Sequence, residues 1–148
     1  MSILVTGGAG FIGSNLIDEL INYPNYQITC LDNFDPFYNP QIKRNNINSH
    51  LKKPNFRLVE ADIRNYQQIK SILTGNFDTI IHLAAKVGVK PSLKEPILYT
   101  KVNINGTQNL LELTKEVKCK QFIFGSSSSV YGVNPHTPWS EEDYVLEP

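Results

Sequence analysis

Short apolar runs alternate with longer stretches in which apolar residues recur every three or four positions. Ile3-Leu4-Val5 opens the chain as a strand. From Phe11 the period changes: Ile12, Leu16, Ile17, Leu20 and Ile21 share one helical face, which predicts a helix to about Asn22, stopped by Pro24. Gln27 to Leu31 reads as a second strand ending in Asp32. A polar, Asn-rich segment follows, in which Asn39-Pro40 starts a helix reaching roughly Leu51. Phe56 to Glu60 is a third strand, followed by a short helix from about Tyr66 to Leu73. The compact run Thr79-Ile80-Ile81-His82-Leu83 is a fourth strand. The segment from about Pro96 to Val117 is predicted as one long helix, with Leu98, Val102, Leu110, Leu111 and Leu113 on its buried side. Gln121 to Phe124 is a fifth strand leading into the serine run Ser126 to Ser129.

Such alternation calls for a parallel sheet covered by helices on both faces, a doubly wound α/β architecture. Right-handed crossovers give the strand order 3-2-1-4-5, with a ligand crevice between strands 1 and 4 at their carboxyl ends. The glycine-rich segment after the first strand, Asp32, the residues after His82 and the serine run all follow strand ends. They are therefore expected on one rim.

At 148 residues the chain is one domain's worth. Its formal net charge is zero and it has no block of like charges, so neither a nucleic-acid nor an anionic-membrane surface is indicated. The apolar runs are too short to span a bilayer, and a basic segment followed by an apolar signal core is lacking at the N-terminus. Cys30 and Cys119 sit in strand-like contexts without metal-ligand spacing, so two buried free thiols in a reducing cytoplasm are expected, and no metal.

Candidate chemistry begins at Thr6-Gly7-Gly8-Ala9-Gly10-Phe11-Ile12-Gly13, between the first strand and the first helix. In that context a glycine-rich turn binds a dinucleotide. Gly7 permits the tight turn, Gly10 lets backbone approach a pyrophosphate, and Gly13 lets the helix pack closely on the sheet. The helix N-terminus adds unpaired N–H groups and about half a positive charge. Asp32, about twenty residues on, can accept hydrogen bonds from the adenosine ribose, with a solvated loop aspartate as the alternative. Its charge would repel a 2′-phosphate and no arginine sits beside it, which predicts NAD over NADP. Asp62, in Glu60-Ala61-Asp62-Ile63, suits either the adenine amino group or a helix cap.

With these pieces in place, the chain resembles the extended short-chain dehydrogenase/reductases, specifically their nucleotide-sugar epimerases. The resemblance rests on the glycine turn, Asp32-Asn33, Asp62-Ile63, His82-Leu83-Ala84-Ala85, Asn103-Ile104-Asn105-Gly106-Thr107 and Ser126-Ser127-Ser128-Ser129-Val130-Tyr131-Gly132, in that order. The stretches Leu31 to Tyr38 and Ala85 to Ser92 look most like UDP-glucuronate 4-epimerases. The resemblance implies a Rossmann-type fold and bound NAD that takes a hydride from C4 of the sugar and returns it to the opposite face. A tyrosine serves as base on the C4 hydroxyl, with a lysine lowering its pKa.

Carried over by motif, Ser127 is the catalytic hydroxyl, and Ser128 and Ser129 contact the sugar. Gly7, Gly10, Phe11, Ile12, Gly13, Asp32, Asn33, Asp62, Ile63, Leu83, Ala84, Ala85, Lys86 and Asn103 line the cofactor. A plain polar loop for the serines and a solvated Asn103 remain the alternatives. Tyr131 is structural in this motif. Related 4,6-dehydratases carry an Asp-Glu pair where this chain has Ser128-Ser129, and the decarboxylases a glutamate in place of Ser129, so simple epimerisation is implied.

In that family the Tyr-x-x-x-Lys pair falls shortly after a stretch like Glu141 to Pro148, and no tyrosine of this chain is expected to have a lysine at that spacing, so the chain is expected to lack the base and most of the sugar site. Residues 1–148 then form an incomplete NAD-binding domain, inactive alone, with an open fifth-strand edge and an uncovered sheet face. A non-catalytic NAD-binding protein, a partner-binding protein and a scaffold with a vestigial site are the competing readings. The resemblance also implies a UDP-hexose or UDP-hexuronate substrate, a cytoplasmic location and a homodimer formed through helices including Pro96 to Val117.

Overall fold

The computed structural model describes residues 1–143. Five strands, β1 (Ser2–Thr6), β2 (Gln27–Asp32), β3 (Phe56–Glu60), β4 (Thr79–His82) and β5 (Gln121–Phe124), form one parallel sheet in the order β3-β2-β1-β4-β5. This is the expected doubly wound order. The strands end in step, with Thr6 opposite both Leu31 and His82, Asp32 opposite Glu60, and His82 opposite Phe124. Every loop that leaves a carboxyl end therefore emerges on one rim.

Because successive strand residues point to opposite faces, β1 to β4 each feed two cores. Ile3, Val5, Ile28 and Cys30 meet Ile17 and Ile21, from α1 (Phe11–Leu20) and its C-cap, and Ile47 of α2 (Pro40–Ile47). On the other face, Leu4, Leu31, Val59 and Ile80 meet Ile69 and Leu73, from α3 (Tyr66–Ile72) and its C-cap. Leu110 and Leu113 of α6 (Thr107–Glu116) complete that layer, beyond α4 (Val89–Lys94) and α5 (Pro96–Tyr99). Each such aliphatic side chain contributes about 1.5–3 kcal/mol by leaving water.

Several helix boundaries differ from expectation. α1 stops at Leu20 because the chain tightens into i→i−3 bonds, Asn22 N–H to Glu19 O and Tyr23 N–H to Leu20 O, ahead of Pro24. α2 ends at Ile47 and passes into a 3₁₀ turn, Asn48–His50. α4 lies where no helix is expected, because Gly88 at φ +100° turns the chain before it. The long helix is also not uniform. Pro96 starts α5 without an N–H to give, and a π-helical segment, Thr100–Gly106, joins α5 to α6.

The π segment has a reason in the spacing of inward residues. Leu98, Val102, Gly106 and Leu110 recur every four positions and are buried or half-buried. A regular α-helix would rotate that row by about 40° per step, and the wider turn removes the drift. Leu110, Leu113 and Val117 then face the core, and Leu111, expected on the buried side, is 39% exposed. Cys30 is buried in β2, whereas Cys119 is only half-buried and precedes β5.

β5 differs from its neighbours. Among the described residues it pairs only with β4, and Ile123 and Phe124 are 43% and 56% exposed, against 0–1% for Ile3, Leu4 and Val5. Among the described residues that edge is unpaired and that face thinly covered.

Candidate functional site

Three elements build the glycine turn. Gly7 sits at φ +67°, and a Cβ there would meet Ala84 N at 2.8 Å, so the turn closes directly on the segment after β4. Gly7 and Gly8 N–H both donate to Leu31 O of β2, at 2.8 and 3.3 Å. A Cβ on Gly13 would collide with the Gly7 carbonyl and come within 2.7 Å of Gly8 Cα. The absence of a side chain at Gly13 therefore serves the turn itself rather than the expected helix-to-sheet contact.

The N-terminus of α1 is open to an anion. Gly10 caps it without any side-chain bond, and its first turn carries no acid. A Cβ on Gly10 would meet only Gly7 O, at 3.2 Å, so the space ahead of it is free. Phe11 and Ile12 are 79% and 67% exposed beside this opening. Unpaired N–H groups, a helix dipole and close backbone access are what a pyrophosphate needs, and this cradle fits one.

Asp32 is buried at the end of β2, not a solvated loop residue. Its Oδ2 accepts from Ala9 N–H at 3.2 Å and its Oδ1 from Phe34 N–H at 2.8 Å. Lys43 Nζ of α2 lies 3.3 Å from the same Oδ1, a partner that sequence inspection misses. Lys43 offsets part of the carboxylate's charge, so repulsion of a 2′-phosphate is weaker than an isolated aspartate would give. Three residues on, Asn46 Nδ2 donates to Ala9 O at 3.0 Å, so α2 braces the turn as well. The only hint in the sequence is the i, i+3 spacing of the two side chains on one helix.

Beyond Asp32 lies an open cleft of ≈ 390 Å³ bordered by Asn33, Asp35, Glu60, Asp62, Arg64 and Gln68. Asp62 does not cap α3. Asn65 does, accepting Gln68 N–H at 3.1 Å. Asp62 instead accepts from Arg64 Nη2 at 2.7 Å, Arg64 Nε and N–H at 2.9 Å, and Asn33 Nδ2 at 2.9 Å. Partial burial pushes its carboxyl up, but these bonds outweigh that and bring it down to about 2. Ile63 is buried beside Asp62, and its side chain would clash with a Cβ on Gly106, which pins the π segment to this side.

A buried relay links β1 to the helices. Thr107 Oγ1 donates to Asn103 O at 2.7 Å, so it accepts from His82 Nε2–H at 2.9 Å. That leaves His82 Nδ1 to accept from Thr6 Oγ1 at 2.7 Å, while Thr6 Oγ1 accepts from Ala84 N–H at 3.4 Å. Burial lowers the His82 pKa to about 4, so the ring is neutral and its tautomer follows from its partners. Asn103 holds Lys86 at both backbone groups, accepting its N–H at 2.8 Å and donating to its O at 3.0 Å. This half-buried asparagine is thus committed to the segment Leu83-Ala84-Ala85-Lys86, not solvated.

The serine run lies past β5 on the same rim, where Gly125 fits because a Cβ would meet Leu83 Cδ2 at 2.7 Å. Ser127 caps a short 3₁₀ helix, Ser128–Tyr131. Its Oγ accepts Ser129 N–H at 3.2 Å and donates to Ser129 Oγ at 3.1 Å. Ser126 to Ser129 are all exposed.

A profile described as GDP-mannose 4,6 dehydratase matches residues 4–148. The chain belongs to the NAD-dependent epimerase/dehydratase family. Within that family it is 39% identical over 147 residues to a UDP-glucuronate 4-epimerase of Thermodesulfobacterium geofontis, covering 98% of this chain and 45% of that protein. It is 35% identical to Protein CapI of Staphylococcus aureus, covering 44% of it. The Bacillus cereus UDP-glucuronic acid 4-epimerase, solved with UDP-glucuronic acid and NAD, superposes with a TM-score of 0.85 at 36% identity, covering 99% of this chain and 46% of that one. The UDP-glucose 4-epimerase of Bifidobacterium longum, solved with NAD+ and UDP, gives 0.77 at 32% identity over 96% of this chain and 42% of that one. The chain thus spans less than half the length of these epimerase/dehydratase relatives.

The family's Tyr-x-x-x-Lys spacing does occur once in these residues, at Tyr66 and Lys70 of α3, where motif comparison passes over it. It is no base. Tyr66 Oη donates to Glu116 Oε1 at 2.7 Å, Lys70 Nζ pairs with the same oxygen at 2.8 Å, and the glutamate hydrogen bond raises the tyrosine pKa. Tyr131 stacks on Trp139 with ring centroids 5.1 Å apart, a packing role. Residues 144–148, the end of the stretch leading toward the expected base, lie outside the described residues. Among the described residues no group of His, Cys, Asp and Glu is placed to hold a metal, and no helix is long and apolar enough to cross a membrane.

Proposed function

We propose that this chain binds NAD across the rim of its sheet and is the cofactor half of a nucleotide-sugar 4-epimerase. The observation that carries the reading is the buried Asp32, hydrogen-bonded to the glycine turn at one end of an uncapped helix N-terminus. In this assignment Gly7, Gly10, Phe11, Ile12 and Gly13 hold the pyrophosphate. Asp32 and Asn33 take the adenosine ribose, and Asp62 and Ile63 border the adenine. Leu83, Ala84, Ala85, Lys86 and Asn103 line the path toward the nicotinamide. NAD would supply the hydride acceptor and donor, and the protein's part is to hold it tightly and orient it.

Ser127 is assigned the hydroxyl that bonds the reacting C4 oxygen, with Ser128 and Ser129 against the sugar. Ser127 must leave its bond to Ser129 to do so, and its exposure makes that exchange cheap. The serine pair 128–129 supports epimerisation over dehydration, which needs an acid and a base there. UDP-glucuronate is the preferred substrate class, supported by the relatives named above. Among the described residues no tyrosine is positioned as a base, so residues 1–143 are expected to bind NAD without converting UDP-glucuronate. The exposed Ile97, Ile104 and Leu111 of the α5–α6 run support a homodimer through that surface.

Calorimetric titration tests the reading. NAD is expected to bind more tightly than NADP, and Asp32→Ala to weaken NAD the more of the two. Absence of NAD binding would overturn the proposal in favour of a partner-binding scaffold. Clear turnover of UDP-glucuronate would overturn the expectation that these residues bind without converting.

A further inference from the structure

We propose that Asp35 and Lys86 form a clasp across the mouth of the dinucleotide crevice, and that Asp35 governs how fast the cofactor enters and leaves. The proposal rests on the NAD reading above. β2 and β4 pair with opposite sides of β1, so the loops that follow them start about 10 Å apart, two strand spacings. Between them runs the glycine turn. Lys86 Nζ nonetheless reaches Asp35 Oδ1 at 3.0 Å, with side chains only 14% and 28% exposed. The bond therefore joins the two banks of the crevice.

Each bank is anchored independently. Asp35 N–H donates to Asn33 Oδ1 at 3.0 Å, and Asp35 Oδ1 also accepts Phe37 N–H at 3.0 Å, which fixes the carboxylate's direction. Asn103 grips the Lys86 backbone at both its N–H and its carbonyl, so only the lysine side chain is free to swing. Lys86 Nζ also lies 5.5 Å from the centroid of the Phe37 ring. A Cβ on Gly88 would stand 3.9 Å from Phe37 Cζ, so the two loops touch as well as pair.

A dinucleotide that reaches from Asp32 to the serine run must pass between these banks. It can enter only when the ion pair opens, and it is enclosed when the pair closes again. Asp35 makes no bond to the cofactor in this scheme. It is a positioning residue acting through Lys86.

The test is stopped-flow measurement of NAD association and release for the parent chain and Asp35→Asn, with circular dichroism to establish that the variant folds. Release is expected to accelerate about fivefold, the range of a partly exposed ion pair, with association faster in the same direction. Asp35→Glu, which keeps the charge, is expected to retain slow exchange and serves if Asp35→Asn does not fold. In a Lys86→Met background, Asp35→Asn is expected to change nothing further. Unchanged or slower release from Asp35→Asn overturns the clasp while leaving the NAD reading intact. A parent chain that binds no NAD overturns both.

Discussion

A methyl group at Gly13 would strike the Gly7 carbonyl and Gly8 Cα, whereas at Gly10 it would only approach Gly7 O at 3.2 Å. The two substitutions therefore separate folding from binding. Gly13→Ala is expected to cost about 1–3 kcal/mol, read from the urea midpoint, because turn backbone has to move. Gly10→Ala is expected to unfold near the parent midpoint, yet to lose NAD affinity at least about tenfold by calorimetry, because its Cβ points into the phosphate space. At Asp32 the effects merge. Asp32→Ala removes the acceptor for two backbone N–H groups and leaves Lys43, only 12% exposed, without its carboxylate. About 1–3 kcal/mol of stability should go with it. Cys30 shows the same neighbourhood from the other side. Burial, with the Asp32 charge adding to it, pushes its thiol up to about 12, so it stays protonated and is expected to resist alkylation in the folded chain.

Between elements, the relay Thr6–His82–Thr107–Asn103 ties β1 and β4 to the π segment and α6. Its stability is pH-dependent in a definite sense. The His82 pKa is about 4 in the folded chain against an ordinary value of 6.5. Below 6.5 the unfolded chain gains a proton that the folded chain refuses, so the contribution is complete above 6.5 and is lost as pH falls toward 4. The loss is on the order of 3 kcal/mol, and denaturant midpoints across that range should show it. His82→Gln should flatten the slope. The five strands and the glycine turn were legible because their signal is local: apolar runs of strand length, and glycines at a strand-to-helix junction. The π segment was not, since a row spaced by four reads as an ordinary helix until its partner Ile63 is seen to crowd Gly106. Lys43, Asn46 and Asp35 were missed for a related reason. Their importance lies in which loop they reach, and polar residues in an Asn-rich stretch carry no sign of that.

At the scale of the molecule, the sheet is well covered on one side of β1 and thin on the other. Among the described residues, the parallel edge strand β5, with Ile123 and Phe124 exposed, offers unpaired backbone and apolar area together. A polypeptide of these residues is expected to self-associate as its concentration rises, and Ile123→Lys to reduce that in sedimentation velocity. Cooperative unfolding of a monomer at high concentration would contradict it. The sheet order also has a temporal side. β1, β2 and β3 pair in sequence as they are made, but the Thr6–His82 bond joins residues 76 positions apart. During synthesis the chain can assemble its first three strands well before the second bank of the crevice exists. A nascent chain halted before Thr79 is expected to retain no NAD on a filter, and one released beyond Phe124 to retain it. Cofactor capture would then report that β4 has docked, making the nucleotide a marker of late folding rather than an early template.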